Sequence, residues 1–348
     1  MATRCLWCGL MLQVPPHAQS VACPGCKTVI HLPRRSATLS YGGGGGYRPF
    51  PAYQTQRPSY LPVAPPQVMM QQNRRRRAVL CGITYQGHKK SLKGSVNNVS
   101  SIRQLLVSVL GFPPSSILVL TENERDPSRI PTKANIRESM NWLVRGCQPG
   151  DSLVFYYSGH ASQVIDRDGD EVDGIDESIC PLDYETEGKI LDDEINAKLV
   201  RPLTHGVTLH AIMDTCFSGT SLDLPFVCRM NSREGYMKWE DHRNPYSSIY
   251  KGTSGGTAIS ISACDDDQNS ADTTAFTGSA IGALTYNFIK ALNEKPKLTY
   301  GQLLVSLQNL IAQIQEEPFS DGTSAPPPQV PQLSSSERFD IHSKIMTL

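Results

Sequence analysis

The chain has 348 residues, room for one large domain or two smaller ones, with 39% hydrophobic residues and no formal net charge. A neutral balance gives no electrostatic reason to expect nucleic-acid binding by the whole chain. No run of eighteen apolar residues predicts a membrane span, and the N-terminus lacks the unbroken apolar core of a signal peptide. The expected compartment is therefore reducing, cytosol or nucleus, where the ten cysteines are not expected to form structural disulfides.

Residues 1–35 read as a small unit. Cys5-x-x-Cys8 and Cys23-x-x-Cys26, separated by fourteen residues, have the spacing of paired knuckles around a tetrahedral four-thiolate Zn²⁺. A unit this small is expected to need the metal to fold, and four thiolates leave no open position, so the zinc would be structural. Unconnected thiols or a redox pair are the alternatives. Residues 36–77 read as a disordered Gly/Pro/Gln-rich linker that buries too little apolar surface to offset its chain entropy. It ends in Arg74–Arg77, a solvated run, a nuclear-import patch or a protease-sensitive site.

From residue 78 to 348 the chain reads as one domain. Short apolar runs at 78–83, 116–121, 153–157, 208–213 and 258–262 suit strands covered on both faces. Helical spacing falls between them. It runs from Val99 to Leu110 with Gly111 as a stop, after Thr132 through Ile136, Met140 and Leu143, and from Ile281 to Leu292. Thr299-Tyr-Gly-Gln302 reads as a capping box before Leu303–Ile314. The alternation predicts an α/β fold with a mostly parallel sheet, whose sites lie beyond the carboxyl ends of the strands. Residues 225–256, carrying Arg229, Arg233, Lys238, Arg243 and Lys251, read as a long basic loop. The tail from Pro318 reads as loosely ordered before a last apolar segment at 339–345.

Two reactive side chains end apolar runs. His160 closes 151–160 and Cys216 closes 207–216, 56 residues later. A thiol needs a neighbouring base to become a thiolate near neutral pH, and the spacing suits a caspase-like Cys–His dyad. The alternative is a small buried hydrophobe and an unrelated histidine. Ser-Gly before His160 and after Cys216 favours tight turns with amides free to stabilise an oxyanion. A dense carboxylate stretch, Asp166 to Glu177, is followed by Asp192-Asp193-Glu194. Such hard oxygen ligands suit Ca²⁺, although Glu171 stands where an EF-hand has glycine; a solvated loop and a helix N-terminus are the equal alternative.

From Arg77 onward the chain resembles a plant type I metacaspase. The resemblance rests on Arg77–Gly82, Pro131–Ile136, Tyr157-Ser-Gly-His160, Asp168–Glu177, Cys180–Asp183, Asp192–Ile195, Asp214–Gly219 and Ser262–Gln268. The N-terminal unit is similar to the zinc finger of plant cell-death regulators. The resemblance implies a caspase-like three-layer sandwich of helices around the sheet. It implies a cysteine endopeptidase that cleaves protein or peptide substrates after Arg or Lys, is stimulated by Ca²⁺, and serves programmed cell death or stress responses. His160 and Cys216 would be the dyad, and Asp214 with Ser158 would meet the substrate's basic side chain. Positions 95 and 98 belong to that pocket. The family's Ca²⁺ ligands fall on Asp176, Asp192, Asp193 and Asp223. Self-cleavage in 225–256 and protein partners of the zinc finger are further implications.

The chain departs from the family pattern at several positions. Ser95 replaces Cys, and Asn98 replaces Asp and removes a negative charge, which weakens the expected preference for Arg and Lys. Ala161 replaces Gly, where any positive φ would be strained. Thr215 and Phe217 flank the nucleophile in place of a small and a polar residue. A weakly active regulatory or scaffold protein is therefore the alternative function.

Overall fold

The computed structural model describes residues 75–215, 220–230, 237–263, 282–295, 297–315 and 331–348, together with Pro15, Pro24 and four short N-terminal strands. The chain divides into two compact units, Met1–Gln67 and Val68–Leu348. In the first, β1 (Ala2–Arg4) pairs antiparallel with β2 (Met11–Gln13), and β3 (Ser20–Ala22) with β4 (Val29–His31). In sequence, Cys5 and Cys8 fall between β1 and β2, and Cys23 and Cys26 between β3 and β4. All four lie outside the described residues.

The second unit is built on one eight-stranded sheet. Its parallel part comprises β5 (Arg76–Gly82), β6 (Ile117–Thr121), β7 (Ser152–Ser158), then β11 (Thr208–Asp214) and β14 (Thr257–Ser262). Between β7 and β11 the chain forms a separate three-stranded antiparallel sheet of β8 (Ala161–Ile165), β9 (Ile175–Ile179) and β10 (Ile190–Leu191). The five strands expected from apolar runs are all present. Their side chains alternate between faces, as the pleat requires. Leu80, Tyr156 and Ile212 enter one core, whereas Cys81, Tyr157 and Met213 enter the other. Both faces are dry because helices cover both: α1 (Ser95–Ser108), α5 (Ala283–Glu294) and α6 (Tyr300–Gln315) on one side, α2 (Lys133–Val144) on the other. Two short helices, α3 (Tyr184–Glu187) and α4 (Asp192–Ile195), precede β11, and a π-helical turn over Asn196–Val200 continues α4. Thr132 caps α2 by accepting the Asn135 amide. The Thr299/Gln302 capping box forms in both directions at 3.1 and 3.2 Å.

Three expectations change. First, β5 begins at Arg76, so Arg76 and Arg77 belong to the domain rather than the linker. Their guanidiniums donate to Leu110 O and to Trp142 O and Arg145 O, carbonyls at the ends of α1 and α2 that lack helical partners. Second, 225–256 is not one long loop. β12 (Phe226–Met230) and β13 (Met237–Asp241) pair within it and extend the sheet, with Cys228 opposite Trp239 on the inner side and Arg229 opposite Lys238 on the outer. In β13 the outward Lys238 and Glu240 conceal the period-two pattern, and in β12 Arg229 interrupts an otherwise apolar run. Third, the tail contributes β15 (Gln332–Ser335), which lies antiparallel between β14 and β12. Its polar residues are buried, and the segment is held by long-range pairing that no local pattern announces.

In order across the sheet, the parallel strands run β14-β11-β7-β5-β6. The chain starts at β5, steps out to β6, and returns to the other side at β7. The connection direction therefore reverses between β5 and β7, where a crevice opens at the carboxyl ends. The register lines up Gly82, Ser158 and Asp214 across β5, β7 and β11.

Candidate active site and acidic cluster

His160 leaves β7 two residues beyond Ser158. Its backbone is fixed from three sides. The Tyr85 hydroxyl accepts the His160 amide at 3.0 Å, the Tyr157 hydroxyl donates to the His160 carbonyl at 2.9 Å, and the Cys180 amide donates to the same carbonyl at 3.0 Å. The Tyr85 ring stacks on the imidazole with centroids 4.6 Å apart. Tyr85 reaches this place with a φ of 53° on the chain leaving β5. Nε2 of His160 lies 2.6 Å from Lys90 O. A carbonyl only accepts, so Nε2 carries a proton, and in the neutral imidazole the lone pair falls on Nδ1. The imidazole is thus set in the tautomer that acts as a base through Nδ1.

Cys216 and Phe217 lie outside the described residues. The strand that leads to them is β11, paired with β7 so that Asp214 is opposite Ser158. Neighbouring strands are about 4.8 Å apart, so the exits toward His160 and Cys216 are adjacent. Among the described cysteines, Cys81, Cys147, Cys180 and Cys228 are unpaired and buried. Burial pushes the Cys81 thiol far up, Cys180 to about 11 and Cys228 to about 12. These three do not form thiolates near neutral pH.

Four residues expected to meet the substrate are Ser95, Asn98, Ser158 and Asp214. All are buried at the crevice floor, Ser95 and Asn98 in the first turn of α1. The Asn98 amide nitrogen donates to Ser158 Oγ at 3.0 Å and to Asp214 Oδ2 at 3.1 Å, and its oxygen accepts the Gly282 amide at 3.0 Å. Thr285, in the first turn of α5, donates to the same Asp214 oxygen at 2.5 Å. A Cβ at Gly282 would run into the Asp214 carboxylate, so only glycine lets α5 approach this closely. Tyr85, Thr285 and Gly282 carry no local sequence signal; only strand and helix packing brings them here. Ala161 opens β8 and has no positive φ, so the strain expected from replacing glycine is absent.

The loop between β8 and β9 carries Asp166, Asp168, Asp170, Glu171 and Asp173, whereas Asp176 lies in β9, Asp192 and Asp193 in α4, and Asp223 beyond β11. Asp166 accepts the amides of Asp168, Gly169 and Glu171, which shapes the loop. Carboxylate oxygens of Asp176, Asp192 and Asp193 lie within 4.8 Å of one another, so three of the four expected calcium ligands converge. Asp223 does not join them. It falls in an overlapping group with Asp170 and Asp193. Asp192 opens α4 with Asp193 beside it, as the helix-N-terminus alternative expects, but it is buried and also accepts the Glu177 amide at 2.9 Å. Burial raises the Asp176 carboxyl to about 6, with Asp193 next in effect. Burial raises Asp223 to about 8 against the pull of Lys251. Asp176 is 4% exposed and its Oδ1 has no hydrogen-bond partner. A buried, orphaned oxygen among opposed carboxylates fits a hard cation such as Ca²⁺.

The basic residues of 225–256 are unequally accessible. Lys251 is buried, Arg229 lies 3.7 Å from Glu240, Arg243 pairs with Asp241 at 2.7 Å, and Arg233 lies outside the described residues. No described helix is long and apolar enough to cross a membrane.

Residues 76–225 match the family described as metacaspase, peptidase C14 domain. Metacaspase-1 of Arabidopsis thaliana is 46% identical over 369 residues, covering 100% of this chain and 96% of the relative. Metacaspase-3 of the same plant is 54% identical over 272 residues, covering 77% of this chain and 74% of the relative. Among solved structures, protein GSU0716 from Geobacter sulfurreducens aligns at 19% identity with a TM-score of 0.51. That alignment covers 78% of this chain and 97% of the other, a likeness of fold alone.

Proposed function

The chain belongs to the metacaspase family of peptidase C14, and from that premise we propose that this cysteine peptidase cleaves after Arg or Lys, is stimulated by Ca²⁺, and serves programmed cell death or stress responses. The observation that carries the reading is the His160 tautomer at the end of β7, beside the strand that leads to Cys216. In the proposed cycle, His160 Nδ1 takes the Cys216 proton, the thiolate attacks the scissile carbonyl, and the same nitrogen returns the proton to the leaving amine.

Asp214 supports the basic preference. A carboxylate at the crevice floor attracts a guanidinium or ammonium. Asn98 places a neutral amide there instead of a second acid, so a single negative charge selects the substrate. This also favours a second reading, a weakly active regulatory protein, in which restoring the acid would raise activity sharply. The relaxed backbone at Ala161 removes one of the motives for that alternative.

Asp176, Asp192 and Asp193 would hold the calcium, joined by Asp223. When bound, the ion would neutralise carboxylates that burial forces together. The segment from Thr220 to Asp223, which follows Cys216 in the chain, is tied to the same cluster through the Thr220 hydroxyl and Glu177. Zn²⁺ on Cys5, Cys8, Cys23 and Cys26 rests on their spacing; one zinc per purified chain is the expected stoichiometry, and none would remove that reading. The full chain with CaCl₂ is expected to cleave an arginine peptide, and Cys216→Ala to abolish cleavage. Equal turnover by Cys216→Ala would refute the assignment.

A further inference from the structure

The acidic cluster already contains a cation. Lys251 is 5% exposed, and its ammonium lies 3.1 Å from Asp170 Oδ2, 2.7 Å from Glu171 Oε1 and 2.5 Å from Asp223 Oδ1. Its position is not accidental to a flexible side chain. The Asn196 side-chain amide donates to the carbonyls of Leu222, Asp223 and Lys251, at 3.0, 2.9 and 3.3 Å, and ties both backbones to the helical turn after Asp192 and Asp193. Asp223 itself lies in the left-handed region, with φ 49°, a conformation aspartate tolerates better than most residues.

These contacts divide the carboxylates in two. Asp170 and Asp223 face the ammonium, whereas Asp176 and Asp192, with Asp193 shared between the groups, do not contact it. Asp176 Oδ1 lacks a hydrogen-bond partner on the side without the lysine, and Asp170 Oδ1 and Asp223 Oδ2 lack one on the side with it. We propose that Lys251 is a built-in competitor for the divalent cation: in the metal-free protein its ammonium holds Asp223 away from Asp176 and Asp192, and calcium completes its ligand set only by taking Asp223 from Lys251. This rests on the calcium reading above. The device sets a threshold, because each cation weakens the hold of the other on a shared carboxylate. It also links the metal to the chain beyond the nucleophile, since Asp223 stands seven residues after Cys216. Lys251, in a segment that reads as a cleavable basic loop, is on this account an internal ligand and not a cleavage site.

The test uses the full chain carrying Cys216→Ala, which prevents self-digestion, and CaCl₂ titrated by calorimetry alongside thermal unfolding. Lys251→Met should lower the unfolding temperature without calcium and tighten calcium binding about tenfold, the effect of removing one partly screened positive charge. Lys251→Arg, which keeps the charge, should bind calcium as the parent does. Unchanged or weaker binding by Lys251→Met, with equal loss of stability with and without calcium, would make Lys251 a plain strut and overturn the proposal. No binding by the parent would remove the calcium reading itself, a separate result. If Lys251→Met does not fold, the buried ammonium is followed in the parent by ¹⁵N-lysine NMR, with Lys251→Arg identifying its signal. That signal should shift or lose protection on calcium saturation, and an unmoved signal would contradict the inference.

Discussion

At the crevice floor, buried polar groups meet donor to acceptor; in the acidic cluster gathered from β9, α4 and the chain beyond β11 they meet acceptor to acceptor. Asn98, Ser158, Thr285 and Gly282 supply the donors and acceptors that fix Asp214, and Tyr85, Tyr157 and Lys90 do the same for His160. Asp176, Asp192, Asp193 and Asp223 instead have their carboxyls raised as burial strips them of water and sets them against other acids, and the Lys251 ammonium offsets part of this. A satisfied network holds its geometry without help, because every buried group has exchanged water for a partner. An unsatisfied one is stable only with a counter-charge and so responds to whichever cation is present. The first arrangement suits chemistry that needs a fixed geometry, and the second suits a switch.

The sharpest way to break the satisfied half is at its base. His160→Ala should lower kcat/KM for an arginine peptide by about 10²- to 10⁴-fold with little change in unfolding temperature; activity within a few-fold of the parent would show that the imidazole is not used. A second probe is pH. His210 is fully buried in β11, its Nε2 2.7 Å from the Tyr300 hydroxyl, and burial lowers its pKa from 6.5 to about 3. Between these values the unfolded chain binds the proton and the folded chain does not. The stability this group contributes is therefore complete above pH 6.5 and is lost as pH falls toward 3, by about 2 kcal/mol between pH 7 and 5. His210→Gln should flatten that slope in denaturant unfolding, and an unchanged slope would place the acid sensitivity elsewhere.

Asn98→Asp converts the floor to the acceptor-to-acceptor arrangement. It should raise kcat/KM for arginine and lysine peptides about tenfold, since a second charge faces the substrate's cation. It should also cost about 1–3 kcal/mol of stability, because Asp214 and Ser158 lose a donor. Loss of activity instead would mean that the amide positions Asp214 productively. The smallest effect is expected from Tyr85→Phe, which removes an acceptor for the His160 amide. A loss of about 1 kcal/mol in stability and a fall in kcat with KM unchanged would fit a positioning role; a change in KM alone would not.

The same contrast separates what is legible in the sequence from what is not. The parallel strands announce themselves because burial on both faces demands continuous apolar runs, and the strand ends carrying His160 and Asp214 follow from them. β13 alternates charged with apolar residues at the sheet edge, β12 is a five-residue run broken by Arg229, and β15 buries Gln332, Ser334 and Ser335 through pairing with distant strands; none of the three is a long continuous apolar run. In the crevice, Ser158 and Asp214 are legible through motif resemblance. Thr285 and Tyr85 are not, because their partners Asp214 and His160 lie 71 and 75 residues away in the chain. Lys251 is hidden for a physical reason as well. A cation among Gly, Ser and Tyr looks solvated until its partners, 28 to 81 residues earlier in the chain, are folded against it.

The most direct test of the central claim is a positional peptide library digested by the full chain with and without CaCl₂, with Cys216→Ala in parallel. Cleavage after Arg and Lys, strong stimulation by calcium, and no cleavage by Cys216→Ala are the expected results. Calcium-independent cleavage without preference for a basic residue, or cleavage that survives Cys216→Ala, would contradict the claim.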